Sequence, residues 1–257
     1  MKAIILAGGR GTRIAEESYL RPKPMIEIGG RPILWHIMKI YAQHGITDFI
    51  ICLGYKSYVV KEYFANYFLH ASDITIDMAR NDITYHMARA EPWRVTLIDT
   101  GESTNTAGRI LRVRDYLAPG ESFCMTYGDG LANVDISASI QFHKQRDRIA
   151  TMTVVRPPAR FGSAAVKDDI VAAFDEKPQA QAGMINGGFF VVNPAALDEI
   201  ENDESSWEHS VLHRLATKSQ LSAWHHSGFW QPMDTLREKE LLEELWVTGK
   251  APWKVWD

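Results

Sequence analysis

The first thirty residues constrain the fold of this chain most, because a short apolar run leads directly into a glycine-rich loop. Residues Lys2 to Ala7 are mostly aliphatic and stop at Gly8 and Gly9, which predicts a buried strand. Three of the next four residues, 8–11, are glycines, so backbone N–H groups can turn inward and approach an anion. This pattern favours an α/β sheet with a ligand at the carboxyl end of its first strand.

Side chains that suit phosphate lie in and after the loop. Thr12 offers a hydroxyl donor, Arg13 a planar guanidinium, and Lys23 a second cation between two prolines. The loop is not a P-loop, and Ile14 stands where a dinucleotide fingerprint from Gly9 needs a small residue. A glycine-rich turn after an edge strand, without a ligand, is the alternative. The two flanking cations favour the phosphate site.

The segments LAGGRGTR and RPKPM together resemble the signature of the sugar-1-phosphate nucleotidyltransferases, and the likeness extends along essentially the whole chain. Within that family the sequence is most similar to the glucose-1-phosphate cytidylyltransferase branch. The resemblance implies transfer of CMP from CTP to α-D-glucose 1-phosphate, giving CDP-glucose and pyrophosphate, with Mg²⁺ as cofactor. It implies that the product feeds dideoxysugar synthesis for O-antigen polysaccharide. The alternatives are a uridylyl- or thymidylyltransferase acting on a hexose 1-phosphate, and a non-catalytic nucleotide-sugar sensor.

Strands and helices alternate through residue 155, which predicts an α/β fold with a mostly parallel, Rossmann-like sheet flanked by helices. We assign residues 1–155 to a nucleotide-binding portion and 156–257 to a smaller α+β sugar-binding portion with a C-terminal helix. Both belong to one compact domain. Residues 70–92 alternate in polarity around a polar turn at 80–82 and predict an inserted β-hairpin. This hairpin is either a flap or oligomer contact, or an extra surface hairpin.

Several helix boundaries follow from capping and proline rules. Pro32 occupies the expected first position of a helix over Ile33 to Gln43, and Ser57 is expected to cap a helix that runs to about Phe68. Further helices are predicted over 207–218 and 235–247.

Two aspartates are predicted to hold a magnesium ion. Asp129 follows a buried strand and lies between Gly128 and Gly130, so its carboxylate can enter a cleft. Asp234 precedes a helix and could simply cap it. Relatives in the family hold magnesium with one aspartate in a Gly-Asp motif and one late aspartate, and both positions match here.

A second group of residues is assigned to the sugar. On its own, the sequence Glu176-Lys177-Pro178 is typical of a solvated charged turn. By resemblance, Lys177 meets the sugar phosphate and Glu176 meets sugar hydroxyls. Asn186 offers both a donor and an acceptor, and Gly187 permits close approach of the substrate.

The nucleotide site is assigned partly from the loop and partly by resemblance. By resemblance, the stretch TNTAGRI matches the cytidylyltransferase form of the base-contacting segment, with Thr104 and Arg109 facing the nucleotide. Arg13, Lys23 and Asp129 are the expected catalytic residues. The full set expected at the nucleotide is Leu6, Ala7, Gly8, Gly9, Arg10, Gly11, Thr12, Arg13, Lys23, Thr104, Arg109 and Gly128.

Composition excludes several other classes of function. The net charge is −4 with both signs interspersed, which argues against binding of nucleic acid or a membrane surface. Cys52 and Cys124 lie in apolar runs and are expected to be core residues in a reducing compartment. No apolar run suits a signal peptide or a membrane span, so a cytoplasmic protein is expected. The hairpin and two tryptophans in the last ten residues suggest a homo-oligomer.

Overall fold

A computed structural model describes residues 1–9, 11, 14, 19, 21–88, 90–157, 163–167, 170–175 and 183–256 of the chain. Its strands are β1 (Ala3–Ala7), β2 (Glu27–Ile28), β3 (Arg31–Pro32), β4 (Asp48–Leu53), β5 (Ser72–Asp77), β6 (Asp82–Ala88), β7 (Arg94–Asp99), β8 (Phe123–Tyr127), β9 (Gly130–Ala132), β10 (Ala150–Val155), β11 (Ser163–Lys167), β12 (Ile170–Asp175), β13 (Ile185–Val192), β14 (Leu221–His226) and β15 (Trp230–Pro232).

The α-helices of the described residues are α1 (Ile33–Gln43), α2 (Ser57–Ala65), α3 (Tyr67–Ala71), α4 (Thr106–Leu111), α5 (Ile136–Arg146), α6 (His213–Thr217) and α7 (Leu236–Val247). Short 3₁₀ segments cover Lys23–Met25, Arg114–Tyr116 and Pro194–Glu199, and a π-helical segment covers Trp207–Leu212.

Seven strands form the central sheet in the order β14–β10–β13–β8–β1–β4–β7. Every neighbouring pair is parallel except the two pairs that include β13, which runs antiparallel to both β10 and β8. The first residues of β13 therefore lie at the edge where the other six strands end. The prediction of a mostly parallel, Rossmann-like sheet flanked by helices is confirmed.

Strand β1 lies in the interior of the sheet and contributes to a hydrophobic core on each face. Its odd-numbered residues pack with α1, α7 and Trp253. Its even-numbered residues pack with α4 and the π-helical segment. This alternation follows from the two-residue period of a strand. It explains why every residue of β1 is apolar, as expected for a strand covered on both faces.

Strands from both predicted portions of the chain share the central sheet, since β13 and β14 follow residue 156. The division at 155/156 stays a prediction. Strands β11 and β12 pair with each other as a separate antiparallel hairpin.

Some predicted helix boundaries are wrong, each for a local reason. Pro32 belongs to the short strand β3 and immediately precedes α1, so it is not the first helical residue. Ser57 does not cap α2, because Lys56 precedes the helix in a left-handed conformation and the Ser57 hydroxyl donates to Asp99 instead, at 3.1 Å. The helix predicted over 207–218 is split into the π-helical segment and α6.

The predicted hairpin is present as β5 and β6, which pair with each other in a two-stranded sheet. Four of its apolar side chains are exposed: Ile76, Met78, Ile83 and Tyr85, most strongly Met78 at 85%. Cys52 and Cys124 are buried and unpaired, as predicted, and burial raises the pKa of each thiol to about 12. Among the described residues, no helix combines the length and apolarity that crossing a bilayer requires.

Candidate active site

A cleft of about 700 Å³ opens at the edge of the sheet where the parallel strands end. Its lining combines the ends of β1 and β8, the start of β13, and the segments before α4 and α7. Every predicted site residue that the structure describes lines this cleft: Leu6, Ala7, Gly8, Gly9, Gly11, Lys23, Thr104, Arg109, Gly128, Asp129, Asn186, Gly187 and Asp234. The sheet thus gathers residues that are up to 228 positions apart in sequence.

The other predicted site residues lie outside the described part of the chain. They are Arg10, Thr12, Arg13, Glu176 and Lys177. Their assigned roles stay predictions.

Lys23 lies between the two predicted metal-binding aspartates. Lys23 is flanked by Pro22 and Pro24 and is the first residue of the 3₁₀ segment Lys23–Met25. It is 8% exposed. Its ammonium donates to Asp129 Oδ2 at 2.7 Å and to Asp234 Oδ1 at 2.6 Å. Burial lowers the pKa of Lys23, but the two carboxylates outweigh this effect and the pKa is raised. Lys23 is therefore a charged lysine at neutral pH.

Asp129 is placed by the strand that precedes it. The Gly128 N–H donates to the Leu6 carbonyl at 3.0 Å, which continues the pairing of β8 with β1 for one residue. A Cβ atom at Gly128 would lie 3.0 Å from that carbonyl oxygen and 3.1 Å from Pro24 Cγ. Glycine thus allows β8 to pass close to the lysine segment, and Asp129 follows at the cleft.

Asp234 does not cap α7, so that alternative is wrong. The cap is Thr235, whose hydroxyl accepts the N–H of Glu238 at 3.3 Å. In return, the Glu238 carboxylate accepts the N–H groups of Thr235 and Asp234, which completes a capping box. The capping box leaves the Asp234 carboxylate to face Lys23 across the cleft.

The donor set fits a hard divalent cation. Asp129 and Asp234 approach closely enough to share one ammonium group, and carboxylate oxygens are preferred ligands of such ions. No cluster of three or more His, Cys, Asp or Glu residues that could hold a metal occurs in the described part of the chain. Two protein carboxylates are sufficient where substrate phosphates and water complete the coordination.

Arg109 organises the other end of the cleft. Arg109 is 5% exposed, and in the part of the chain that the structure describes its guanidinium donates only to neutral oxygens. The acceptors are the Thr100 hydroxyl (2.8 Å) and the carbonyls of Gly101 (2.7 Å), Leu53 (3.0 Å), Gly8 (3.2 Å) and Glu102 (3.3 Å). Burial lowers the pKa of Arg109, although a guanidinium keeps its charge. The predicted contact with nucleotide stays a prediction.

The glycine loop and Arg109 depend on each other. A Cβ atom at Gly8 would lie 2.2 Å from Arg109 Nη1, so only glycine lets the loop approach the guanidinium. Thr104 lies nearby in the segment before α4 and is buried. Asn105 caps α4 by accepting the N–H of Thr106.

The two described residues assigned to the sugar, Asn186 and Gly187, lie at the start of the antiparallel strand β13. The Asn186 amide donates through Nδ2 to the Tyr127 hydroxyl at 3.2 Å and accepts the Gly188 N–H at 2.8 Å. The Gly187 carbonyl accepts the indole N–H of Trp230 at 2.7 Å. The side chain of Asn186 is thus held at both ends of its amide.

Sequence reasoning did not single out several residues that line the cleft, among them Tyr127, Thr106 and Trp230. Tyr127 immediately precedes Gly128-Asp129, and Thr106 lies within the segment assigned to the nucleotide, so both positions carried a signal. Trp230 carried none, because it reaches Gly187 from a separate strand, β15.

Comparison with known proteins places the chain among enzymes of one type. A family model described as nucleotidyl transferase matches residues 2–231. Glucose-1-phosphate cytidylyltransferase of Salmonella typhimurium is 58% identical over 257 residues, covering all of both chains. A probable glucose-1-phosphate cytidylyltransferase of Bacillus subtilis is 41% identical, also over the full length of both chains.

A solved structure shows the same fold. The putative glucose-1-phosphate thymidylyltransferase of Bacillus anthracis superposes with a TM-score of 0.70 at 18% identity, covering 98% of this chain and 95% of that one. At this identity the likeness concerns the fold alone.

Proposed function

This chain belongs to the nucleotidyl transferase family, and we propose that it transfers CMP from CTP to α-D-glucose 1-phosphate, forming CDP-glucose and pyrophosphate. The nucleotide and the sugar are those in the names of the two full-length relatives described above. The observation in the structure that carries the proposal is the meeting of Lys23, Asp129 and Asp234 in one cleft with the glycine loop.

The reaction we propose is an in-line displacement. A phosphate oxygen of glucose 1-phosphate attacks the α-phosphorus of CTP, a new P–O bond forms, and pyrophosphate leaves with the electrons of the broken bond. The attacking oxygen is already anionic, so no general base is required. Accordingly, the described lining of the cleft contains no histidine or cysteine. Catalysis then depends on positioning and on stabilisation of charge.

The chain supplies that stabilisation from two sides. We assign the N–H groups of the glycine loop, with Arg13, to the β- and γ-phosphates of the nucleotide. We assign Lys23 to the α-phosphate, which its ammonium can reach by exchanging one of its two carboxylate partners for a phosphate oxygen. Lys177 is assigned to the phosphate of the sugar.

We propose Mg²⁺ as the divalent cation and Asp129 and Asp234 as the protein ligands. When bound, the ion neutralises phosphate charge and favours departure of pyrophosphate. Asp129 and Asp234 are brought to it by separate elements, the end of β8 and the segment before α7. The hydrogen bonds that fix the backbone around both residues hold the carboxylates in place before substrate arrives.

The choice of cytosine requires a hydrogen-bond acceptor opposite the base's exocyclic amine. Backbone carbonyls can supply it, and the segment around Thr104 and Arg109 lines the cleft beside the glycine loop. We propose that this segment selects the base. The uridylyl- and thymidylyltransferase alternatives keep the same chemistry and differ only in this contact.

The first test is pyrophosphate release from glucose 1-phosphate, measured in parallel with CTP, UTP, dTTP, ATP and GTP, each with and without a chelator. We expect turnover with CTP that the chelator abolishes. A preference for another nucleotide would keep the reaction and overturn the assignment of the base. Binding of nucleotide without turnover for any of the five would support the non-catalytic sensor instead.

We also propose that the enzyme is a homo-oligomer that uses the β5–β6 hairpin as a contact. The support is the exposure of Ile76, Met78, Ile83 and Tyr85 on a hairpin that pairs with no other strand in the described residues. Light scattering on the wild type and on Met78→Lys tests this contact. A monomeric wild type would overturn it.

A further inference from the structure

A carboxylate that the proposed reaction does not use lies beside the sugar end of the cleft. Glu208 belongs to the π-helical segment Trp207–Leu212 and is partly buried. Three hydroxyls donate to its carboxylate: Tyr127 at 2.5 Å, Thr106 at 2.8 Å and Ser206 at 2.8 Å. Burial raises the pKa of Glu208, but the hydrogen bonds from Tyr127, from its own backbone N–H and from the other two hydroxyls outweigh burial and lower the pKa. Glu208 is therefore ionised and acts only as an acceptor.

The charge on Glu208 fixes the direction of the next hydrogen bond. Tyrosine has one hydroxyl hydrogen, and the Tyr127 hydrogen points to Glu208 Oε1. The Tyr127 oxygen can then only accept from Asn186, so the NH₂ group of the amide must face Tyr127. The carbonyl oxygen of the amide must face the opposite way, where it accepts the Gly188 N–H at 2.8 Å. The hydrogen bonds at the two ends of the Asn186 amide therefore require the same orientation.

This orientation determines what Asn186 can offer to a ligand. One N–H of the amide is used by Tyr127, and the second belongs to a side chain that lines the cleft. The reversed amide would present its oxygen to Tyr127, which has no second hydrogen to give. A substrate hydroxyl beside Asn186 thus meets an N–H donor.

We propose that Glu208 is a positioning residue for the sugar, because through Tyr127 it holds the Asn186 amide with an N–H donor toward the sugar hydroxyls. This inference rests on the proposed function, which assigns Asn186 to the sugar. Glu208 itself does not touch the substrate.

The same carboxylate also joins the sugar side to the nucleotide side. Thr106 opens α4 and donates to Glu208 Oε2, while its oxygen accepts the Trp207 N–H at 2.8 Å. Ser206 likewise donates to Glu208 and accepts the His209 N–H at 3.1 Å. Each of these two hydroxyls gives its hydrogen to Glu208 Oε2, so both require an acceptor at that position. In Glu208→Gln the amide oxygen would keep these two contacts, and the NH₂ group would face the Tyr127 hydroxyl in place of Oε1. The substitution therefore reverses the hydrogen bond at Tyr127 without changing the volume of the side chain.

The test compares Glu208→Gln, Tyr127→Phe and the double variant. Each single variant should raise KM for glucose 1-phosphate about tenfold, which is the loss of one well-aligned hydrogen bond to substrate. KM for CTP and kcat should change by less than about twofold, since Asn186 binds the sugar equally in the ground and transition states. The double variant should be no worse than Tyr127→Phe, because Glu208 acts through that hydroxyl.

Glu204→Gln is the matched control, since Glu204 lies in the same segment and is exposed. It should leave every constant unchanged. Equal rises in KM for CTP and for the sugar phosphate, or additive effects in the double variant, would show that Glu208 only supports the fold and would overturn the inference.

Calorimetric binding of CDP-glucose and CTP separates this inference from the proposed function, because it requires no turnover. We expect Glu208→Gln to weaken CDP-glucose about tenfold and to leave CTP unchanged. An active wild type with unchanged binding in Glu208→Gln overturns the role of Glu208 alone. A wild type that binds neither compound overturns both proposals.

Discussion

Lys23 and Arg109 are both buried cations that line the same cleft, yet the protein surrounds them differently. Lys23 is held by two carboxylates, which raise its pKa in spite of burial. Arg109 is held by four carbonyls and one hydroxyl, and burial lowers its pKa. One group is held by opposite charge, the other by the geometry of its donors.

The two ends of the cleft therefore differ in net charge. The group of Lys23, Asp129 and Asp234 carries one more negative than positive charge, which suits an added cation. Arg109 has no carboxylate at ion-pair distance among the described residues and therefore leaves a positive charge near the glycine loop, which suits phosphate. Substituting each group should accordingly affect different properties: catalysis at the Lys23 end and folding at the Arg109 end.

The largest effect is expected from Asp129→Asn. This substitution keeps the shape of the side chain and removes one of the two carboxylates at the Lys23 end. We expect kcat/KM to fall by about 10²–10³, the usual cost of losing one group that stabilises charge in the transition state. Thermal unfolding should change little, since Asp234 still pairs with Lys23.

Asp198→Asn provides the control, because Asp198 is 77% exposed and pairs with Arg114 on the surface. It should be fully active. Near-normal turnover by Asp129→Asn would remove Asp129 from the catalytic group.

Arg109→Lys should affect folding more than any substitution at the other end. Lysine keeps the charge but has three donors and no planar fork, so at least two of the five acceptors lose the hydrogen bond from residue 109. Each loss costs about 1–3 kcal/mol, so we expect the free energy of unfolding in urea to fall by about 3 kcal/mol. Arg112→Lys is a suitable control, since Arg112 makes its ion pair with Asp203 at the surface. Equal stability of the two variants would contradict the organising role of Arg109.

The sequence predicted the elements of the cleft better than it predicted their contacts. The span Ile33 to Gln43 of α1 was predicted correctly, because hydrophobic periodicity is a local signal, although Pro32 precedes the helix and does not begin it. Lys23, Asp129 and Asp234 were assigned to one site before the structure, by motif and by family pattern. That Lys23 bridges both aspartates, however, depends on atoms from segments 106 and 211 residues away.

Contacts between distant segments also explain the errors. Ser57 has the residue type of a helix cap, but its hydroxyl donates to Asp99 at the end of a neighbouring strand. No local sequence pattern pointed to Glu208, because its role depends on hydrogen bonds with Tyr127 and Thr106. Only the folded sheet brings these two residues to it.

The pH dependence of stability tests whether the carboxylates outweigh burial at Lys23. Its pKa lies above the usual 10.5, so the stability from its charge is fully present below pH 10.5 and is lost at higher pH, as the folded-state pKa is passed. The measurement is urea unfolding of the wild type and of Lys23→Met over this pH range. The difference, about 1–2 kcal/mol for a partly buried ion pair, should stay constant up to that pH and shrink only beyond it. A difference that shrinks at lower pH would mean that burial prevails, as it does at Arg109.

The smallest effect is expected from Thr235→Ala, which removes the cap of α7. Loss of an N-cap hydroxyl costs about 1 kcal/mol. Because the capping box also holds the Asp234 N–H, the loss should loosen Asp234 and reduce kcat/KM about twofold to fivefold, while binding of CTP, which we propose to occur at the Arg109 end, should be unchanged. Asp135→Ala removes the matching cap of α5, which does not line the cleft, and should cost the same stability at full activity. If both variants lose activity equally, global stability and not the placement of Asp234 accounts for the loss, and the two ends of the cleft are less independent than their contacts indicate.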